Sequence, residues 1–486
     1  MLNQTISTRS TQQWQQLDAA HHLHPFSDMG SLNRAGSRVI TRAEGVYLWD
    51  SEGNKIIDGM AGLWCVNVGY GRHELADAAQ QQMLQLPYYN TFFKTTHPPV
   101  IELSHQLAQL TPEGFNHFFL LQQWLGRQRH GTAHRASVLG RPRPGQQALC
   151  GITPQRLSRL DHCRRFARRH GLYARTDAQP RAQHRAHWPA ILVWRGGQPD
   201  ASRVWPGARC RAGSKKFWSW GPRMSPPLSA SRSRRRRGDF FPPETYWPEI
   251  ERICRKYQVL LVADEVIGGF GRTGEWFAHQ HFGFKPDLMT LAKGLTSGYV
   301  PMGAVAIQDH VAQALIEGGD FNHGLTYSGH PVAAAVALAN IAILRDGGVI
   351  DTVKSDTGPY FQKSLREALA ASPIIGEIQG HGLVAGMQFS PDAQAQKRFE
   401  NGGDIGLICR DHCFANNLIM RATGDRMLLS PPLVISRSEI DELVEKSRAL
   451  HPADGRRPRL LKRGGAQART RRQYGVANPA RGWGKA

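Results

Sequence analysis

With 486 residues the chain is long enough for two or three packed domains, and its formal net charge of +22 would ordinarily suggest a nucleic-acid or membrane partner. Its seven cysteines include no CxxC pair, so the sequence indicates neither a disulfide framework nor a zinc site. No apolar run of membrane-spanning length occurs and the first residues are polar, which predicts a cytoplasmic protein without a membrane partner.

Residues up to 119 have the patterns of a globular enzyme. Within residues 45–59, a Val-Tyr-Leu-Trp run, a Ser-Glu-Gly-Asn turn and the pair Ile56 and Ile57 predict a β-hairpin. Residues 70–86 place apolar side chains among polar ones at helical spacing, which predicts an amphipathic helix.

The middle of the chain differs in composition and carries most of the charge. Residues 121–238 contain 24 Arg, 2 Lys and 3 Asp, a balance of 26 − 3 = +23. The tail 449–486 has 10 Lys or Arg and one Asp, or +9, so the rest of the chain carries 22 − 23 − 9 = −10. Because the charge is confined to two segments without regular periodicity, it indicates no nucleic-acid partner and argues against a packed domain there.

From residue 242 onward the regular patterns return and predict alternating helices and strands. The predicted helices are 244–257, 332–344 and 405–416, and the predicted strands are 259–263, 288–291, 304–307 and 418–421, with 378–389 assigned to a smaller α+β unit. A helix that leads into a buried apolar strand is typical of an α/β fold.

Two of these strands end in side chains that suit a cofactor site. Asp264 ends one strand and Lys293 follows another, and ligands of α/β sheets bind at the carboxyl ends of strands. Pyridoxal phosphate (PLP) requires such a pair, because a lysine binds it covalently and a carboxylate keeps its pyridine nitrogen protonated. Taken singly, Asp264 could equally cap a helix and Lys293 lie on a solvated surface.

The surrounding residues support the cofactor interpretation. The run LLVADEVIGGFGRTGEWFAHQHFGFKPDLMTLAKGLTSG, Leu260 to Gly298, resembles the cofactor signature of class III aminotransferases, or ω-transaminases. The resemblance extends over roughly residues 13–119 and 241–448. It implies an α/β chain with the type I PLP-dependent transferase fold, which has a large domain with a mostly parallel sheet and a small α+β domain.

The resemblance also implies domain boundaries. Residues 1–60 would begin the small domain, 61–119 and 241–345 would form the large PLP-binding domain, and 346–448 would complete the small domain. The remaining two parts are the central segment, 120–240, and the basic tail, 449–486.

Site residues follow from the same resemblance, position by position. Lys293 would bind PLP covalently and move a proton, Asp264 would face the pyridine nitrogen, and Val266 would pack against the ring. Thr326 resembles the threonine that reaches the cofactor phosphate of a neighbouring subunit, which implies a homodimer. The implied substrate-pocket residues are Phe26, Trp64, Phe92 and Arg421, the last as the mobile arginine that binds the acceptor carboxylate.

The implied reaction is transamination from an amine or ω-amino acid to a keto acid such as pyruvate. An aminomutase or decarboxylase would share Lys293 and Asp264, so these PLP enzymes stay open as alternatives. A basic nucleic-acid-binding protein is a more distant alternative. A metal site is not expected, since the histidines at 21, 22 and 24 show no accompanying carboxylate spacing in the sequence.

The central segment lacks the Ser-Gly-Ser-Glu phosphate loop of the family. Back-translation of Gln122–His130, read one base later, gives Asn-Ser-Gly-Ser-Glu-Gly-Asn-Asp, and two further stretches give family segments in the same way. We therefore interpret residues from about 120 to about 240 as an out-of-frame translation, with the basic tail a second candidate. On this interpretation the chain as written is an inactive product of an aminotransferase gene, which is a further alternative.

Overall fold

The structure, a computed structural model, describes residues 9–121, 148–149, 242, 244–257, 259–321, 323–391, 399 and 403–448. The central segment lies outside the described residues except for 120–121 and 148–149, and the whole basic tail lies outside them.

Helices in the described residues follow the apolar periodicity of the sequence. They are α1 (Thr11–His21), α2 (Met29–Ala35), α3 (His73–Gln85), α4 (Pro98–Leu110), α5 (Tyr246–Lys256), α6 (Ala278–Phe282), α7 (Asp309–Glu317), α8 (Pro331–Asp346), α9 (Val349–Thr352), α10 (Gly358–Leu369), α11 (Asp404–Ala415) and α12 (Arg437–Arg448). Three shorter segments are a four-residue helical turn at Ala61–Trp64, whose backbone is not helical at Gly62 and Leu63, a 3₁₀ helix at Lys293–Leu295 and a π-helix at Val353–Thr357.

Strands form three four-stranded sheets and one two-stranded pair among the described residues. They are β1 (Ile40–Glu44), β2 (Tyr47–Asp50), β3 (Lys55–Asp58), β4 (His117–Leu121), β5 (Ala148–Leu149), β6 (Val259–Leu260), β7 (Val262–Asp264), β8 (Leu288–Ala292), β9 (Gly303–Ile307), β10 (Ile375–His381), β11 (Val384–Phe389), β12 (Leu418–Ile419), β13 (Arg421–Thr423) and β14 (Arg426–Leu429).

One of these sheets, in the order β4-β9-β8-β7, carries the predicted cofactor strands. β7 and β8 are parallel, with Asp264 opposite Thr290, whereas β9 runs antiparallel to both β8 and β4. Two of the three pairings in this sheet are therefore antiparallel, and the separate two-stranded pair β5 and β6 is parallel. The central segment lies between β4 and β7 in the chain and is almost entirely outside the described residues. The described strands by themselves therefore do not show the mostly parallel sheet that is expected from the sequence.

The other two sheets join distant parts of the chain. The predicted hairpin is confirmed as β2 and β3, in which Tyr47 pairs with Ile57, and β12 adds to β3 in parallel. The remaining four-stranded sheet has the order β10-β11-β14-β13. The pairing of β3 with β12 brings the two chain ends together, while the domain boundaries themselves stay a prediction.

Most of the core lies around α8, an alanine-rich helix. α8 packs against α3 and α4, and its small side chains Ala333, Ala334 and Ala337 are fully buried. Among the described residues no single helix is long and apolar enough to cross a membrane; one bent pair, Pro331–Asp346 with Val349–Leu369, meets the length and composition criteria only when its two parts are combined.

The fully buried Arg272 joins three separate segments of the chain by hydrogen bonds. The guanidinium of Arg272 donates hydrogen bonds to the carbonyl of Leu383 (3.2 Å), to the carbonyl of Pro431 and to the side-chain oxygen of Asn67 (3.0 Å). Burial lowers the pKa of Arg272 to about 9, with the nearby Asp58 carboxylate opposing this shift. Removing the guanidinium would leave three buried acceptors without these donors.

We expect Arg272→Met to lower the free energy of unfolding by about 3 kcal/mol, at roughly 1 kcal/mol for each buried hydrogen bond lost. Urea unfolding of the full chain measures this change. Arg252→Met is the matched control, since Arg252 is exposed and, among the described residues, its ion pair is with Glu249 on its own helix, where solvent screens the charges. Equal losses of unfolding free energy in the two variants would contradict the view that Arg272 stabilises the fold by joining these three segments.

Candidate active site

The cofactor residues predicted from sequence lie at the carboxyl edge of β7 and β8. Asp264 is the last residue of β7, and Lys293 follows the last residue of β8. The Asp264 carboxylate accepts hydrogen bonds from the Thr290 hydroxyl (3.2 Å) and from the backbone N–H of Val266 (3.4 Å), a buried residue. Because the two strands are parallel and adjacent, the carboxylate and the amine share one edge of the sheet.

The backbone at Lys293 has a left-handed conformation, with φ = 52°. An L residue in this region costs roughly 1–2 kcal/mol, so neighbouring groups must hold it. The side-chain amide of the buried residue Asn340 donates to the carbonyls of Gly294 (2.8 Å) and Leu295 (3.1 Å). Gly294 itself passes so close to Asn67 that an added Cβ would lie 2.4 Å from the amide nitrogen. These contacts hold the backbone of the turn at Lys293 in this conformation.

Burial also changes the chemistry of the Lys293 amine. It lowers the pKa of Lys293 to about 8, and the nearby Asp264 carboxylate opposes the shift without cancelling it. A larger fraction of the amine is therefore neutral near physiological pH than in an exposed lysine. Only the neutral amine is a nucleophile, so this environment favours covalent chemistry.

Two of the predicted pocket residues, Trp64 and Arg421, lie near the Lys293 amine. The Lys293 Nζ atom lies 4.8 Å from the centre of the Trp64 ring, and the Arg421 Cζ atom also lies 4.8 Å from it. Both contacts are of the cation–π type. The structure therefore brings together five residues predicted from sequence, hereafter the lysine site: Trp64, Asp264, Val266, Lys293 and Arg421.

The other three predicted residues make their contacts elsewhere in the described chain. The Phe92 ring packs against Gly324, two residues before Thr326, and Phe92 and Thr326 are hereafter the second group. Thr326 is exposed, and its carbonyl accepts a hydrogen bond from the Tyr88 hydroxyl. Phe26 lies on a turn with 96% of its surface exposed. Their predicted roles stay predictions.

The N-terminal histidines have a carboxylate partner that the sequence analysis missed. Asp18 accepts hydrogen bonds from His22 Nδ1 (3.1 Å) and from His24 Nε2 (2.8 Å). One ligand atom from each of the three lies within 4.8 Å of the others, a separation that a metal ion can bridge. The stated premise, that no carboxylate accompanies these histidines, was wrong: Asp18 precedes His22 by one helical turn. The hydrogen bonds account for the cluster without an ion, and the expected absence of a metal stays a prediction.

Sequence reasoning also missed the residues that support the lysine site: Asp58, Asn67, Arg272, Thr290 and Asn340. All but Thr290 are buried polar residues; Asn67, Arg272 and Asn340 bond segments distant in the chain, whereas Asp58 bonds its own neighbours Met60, Gly62 and Tyr70. Only Asp58 left a local signal, as a carboxylate at the end of a strand followed by glycine.

Replacing Lys293 by Met should stabilise the chain without cofactor at pH 7. The unfolded state holds the Lys293 proton up to about pH 10.5, whereas the folded state releases it near pH 8, so the stability of the parent chain rises with pH between these values. We expect a gain of about 1–2 kcal/mol at pH 7 in the variant, less than the full shift implies because part of the side chain reaches solvent. The gain should disappear by about pH 10.5.

Urea unfolding at several pH values measures this difference. Lys363→Met is the matched control, because Lys363 is an exposed helical lysine and its replacement should leave the pH dependence unchanged. A Lys293→Met variant that follows the parent chain at every pH would show that burial does not shift this amine.

Comparison with known proteins places the chain in one family. A model of the family described as aminotransferase class-III matches residues 31–123 and 235–450. The putrescine–pyruvate aminotransferase of Pseudomonas aeruginosa is 46% identical over 462 residues, which cover 92% of this chain and 97% of that protein. The diaminobutyrate–2-oxoglutarate transaminase of Halomonas elongata is 34% identical over 448 residues, covering 88% of this chain and 92% of that protein. The family match leaves out residues 124–234, inside the central segment, and the out-of-frame interpretation stays a prediction.

Solved structures agree with this assignment. An (S)-enantioselective omega-transaminase from Thermomicrobium roseum has a TM-score of 0.74 and 34% identity, over 91% of this chain and 98% of that one. The omega transaminase of Pseudomonas jessenii in complex with PMP has a TM-score of 0.69 and 27% identity, over 90% of this chain and 97% of that one. The chain therefore belongs to the class III aminotransferases, PLP-dependent transaminases of the type I fold.

Proposed function

We propose that this chain transfers the amino group of a primary amine, with a short diamine such as putrescine as the leading candidate, to a keto acid such as pyruvate. The observation that carries the proposal is the lysine site, where an amine of lowered pKa and a carboxylate share one sheet edge. The relative named putrescine–pyruvate aminotransferase supports this choice of donor and acceptor.

The residues of the lysine site fit PLP. Lys293 would hold the cofactor covalently, Asp264 would face its pyridine nitrogen and Val266 would pack against its ring. When bound, PLP supplies an electron sink for the carbon from which a proton is removed. The hydrogen bonds from Thr290 and from the Val266 backbone keep the Asp264 carboxylate oriented.

Lys293 would act as the acid and base of the reaction. Its pKa of about 8 lies close to neutral pH, where a group both accepts and returns a proton readily. The strained turn limits the movement of its backbone, so the amine stays near the carbon whose proton it moves. The Trp64 ring beside Nζ excludes water from one side of the amine.

Arg421 would bind the carboxylate of the keto acid. Its planar guanidinium matches a carboxylate with two parallel hydrogen bonds. A diamine has no carboxylate, and the guanidinium then has an alternative contact on the Trp64 ring. The same pocket is thus compatible with both substrates in turn.

The first test is the formation of alanine from putrescine and pyruvate by the full chain supplied with PLP. We expect Arg421→Gln to raise the KM for pyruvate by about 10- to 100-fold, since a charge-assisted hydrogen bond contributes roughly 1.5–3 kcal/mol. The KM for the diamine should change by less than about threefold. Arg410→Gln is the control, because Arg410 is an exposed arginine paired with its neighbour Asp411.

The alternatives give different results in the same assay. Product formation that does not need pyruvate would favour an aminomutase or decarboxylase. A chain that makes no product, and whose absorbance with PLP matches that of Lys293→Ala, would support an inactive product of an out-of-frame gene. The cytoplasmic location and the absence of nucleic-acid and membrane partners stay predictions from the sequence.

We also propose a homodimer in which the second group of one copy completes the lysine site of the other. Within one chain Phe92 contacts Gly324 and Thr326 contacts Tyr88, and Thr326 is exposed, which supports a role for this group across an interface. Exposed aromatic side chains surround this second group, with Tyr327 in edge contact with Tyr88 and Phe93 in edge contact with Phe92. Phe93 is 91% exposed, which is unusual for a large apolar residue unless a partner covers it.

Phe93→Glu should weaken this dimer at least tenfold, because a charge buried in an apolar interface costs more than about 1.4 kcal/mol. Sedimentation equilibrium at micromolar concentrations measures the change. Leu407→Glu is the control, since Leu407 is an exposed apolar residue on α11, far along the chain from the aromatic group. A parent chain that is monomeric across the range would reject the proposal.

A further inference from the structure

The residues that carry Trp64 form an unusual turn. Four consecutive residues have positive φ: Ala61 (45°), Gly62 (63°), Leu63 (104°) and Trp64 (62°). Three of them are not glycine, and each such residue costs roughly 1–3 kcal/mol in this conformation. Residues 60–66, hereafter the tryptophan turn, therefore require support from outside the turn.

Asp58 supplies that support from the end of β3. Its carboxylate accepts hydrogen bonds from the backbone N–H of Met60 (2.9 Å), from the backbone N–H of Gly62 (2.7 Å) and from the Tyr70 hydroxyl (2.7 Å). Asp58 is 1% exposed, so these bonds form away from water, where they are strongest. Burial raises the pKa of Asp58, while the three hydrogen bonds and the charge of Arg272 act in the opposite direction.

The turn then holds itself together around this anchor. The Met60 carbonyl accepts the amides of Leu63 and Trp64, and the Ala61 carbonyl accepts those of Cys65 and Val66. Trp64 is buried as a result, and its ring lies beside the Lys293 amine. Asp58 thus acts on the lysine site only through the turn.

We propose that Asp58 is a positioning residue: its carboxylate holds the tryptophan turn so that the Trp64 indole covers the Lys293 amine and keeps water from it. The relevance for transamination rests on the proposed function, whereas the shielding itself is a property of the chain without cofactor. An Asp58 that merely stabilised the fold would leave the environment of Lys293 unchanged.

The test is the pH dependence of Lys293 acylation in the full chain without cofactor or substrate. Acetic anhydride labels neutral amines, and mass spectrometry of the peptide that contains Lys293 gives the midpoint of its labelling curve. In the parent chain we expect a midpoint near the pKa of about 8. In Asp58→Asn we expect it to rise by about one pH unit toward that of an exposed lysine, because a displaced Trp64 lets water reach the amine.

The direction of the shift separates shielding from a direct charge effect. Removing a nearby negative charge would lower the pKa of a lysine, so only the loss of shielding raises the midpoint. The other charged or titratable groups that act on this amine keep their identity in the variant: Cys65, Asp264, Arg272 and Arg421. Cys65 belongs to the tryptophan turn and raises the pKa of Lys293, so its displacement would lower the midpoint and cannot account for a rise.

Asp287→Asn is the matched control for general destabilisation. Asp287 is also 1% exposed and accepts hydrogen bonds from a backbone N–H and from an arginine, but it contacts Leu261 and Arg255 rather than the tryptophan turn. This variant should lower the melting temperature and leave the Lys293 midpoint within about 0.2 units of the parent value.

Tyr70→Phe serves as a milder variant in case Asp58→Asn does not fold. It removes one hydrogen bond to Asp58 without changing a charge, and a smaller rise in the midpoint is expected. An unchanged or lowered midpoint in the folded variants would overturn the proposal. Because the labelling needs neither turnover nor cofactor, a chain that fails as an aminotransferase still gives a clear result.

Discussion

The buried guanidinium of Arg272 is the interaction on which the active-site region most depends. It links Asn67 to the carbonyls of Leu383 and Pro431, so three segments far apart in sequence meet at one point. A positive charge in this environment is costly, and the nearby negative charge of Asp58 offsets part of that cost. Asp58 also holds the tryptophan turn through hydrogen bonds. The buried charges of Arg272 and Asp58 therefore both stabilise the fold and set the geometry of the site.

Strain is concentrated where the chemistry is expected. Lys293 has positive φ, and three non-glycine residues of the tryptophan turn do as well. Such conformations persist only where surrounding contacts hold them, here the Asn340 amide and the Asp58 carboxylate. Burial lowers the pKa of Lys293 at the same site. Keeping the amine away from water costs stability and makes the amine more reactive.

Local patterns were sufficient for most of the elements. The hairpin of β2 and β3, the helices α3, α5, α8 and α11, and the strands β8 and β9 are confirmed within a few residues of their predicted ends. The pairing of Asp264 with Lys293 was also predictable, because parallel neighbouring strands end at the same edge. The partnership of Asp18 with His22 and His24 was missed, although its helical spacing was readable.

The sequence by itself determined the family, the order of the elements and the two residues that we propose to hold the cofactor, since each is encoded in a short continuous run. Only the tertiary structure decided that Trp64 and Arg421 meet near Lys293, while Phe92 contacts Gly324 and Thr326 contacts Tyr88. It also decided that Asp58 and Arg272 support the site. Except for those of Asp58, these contacts join distant segments, and all of their energies depend on burial and hydrogen-bond geometry, which no local periodicity encodes.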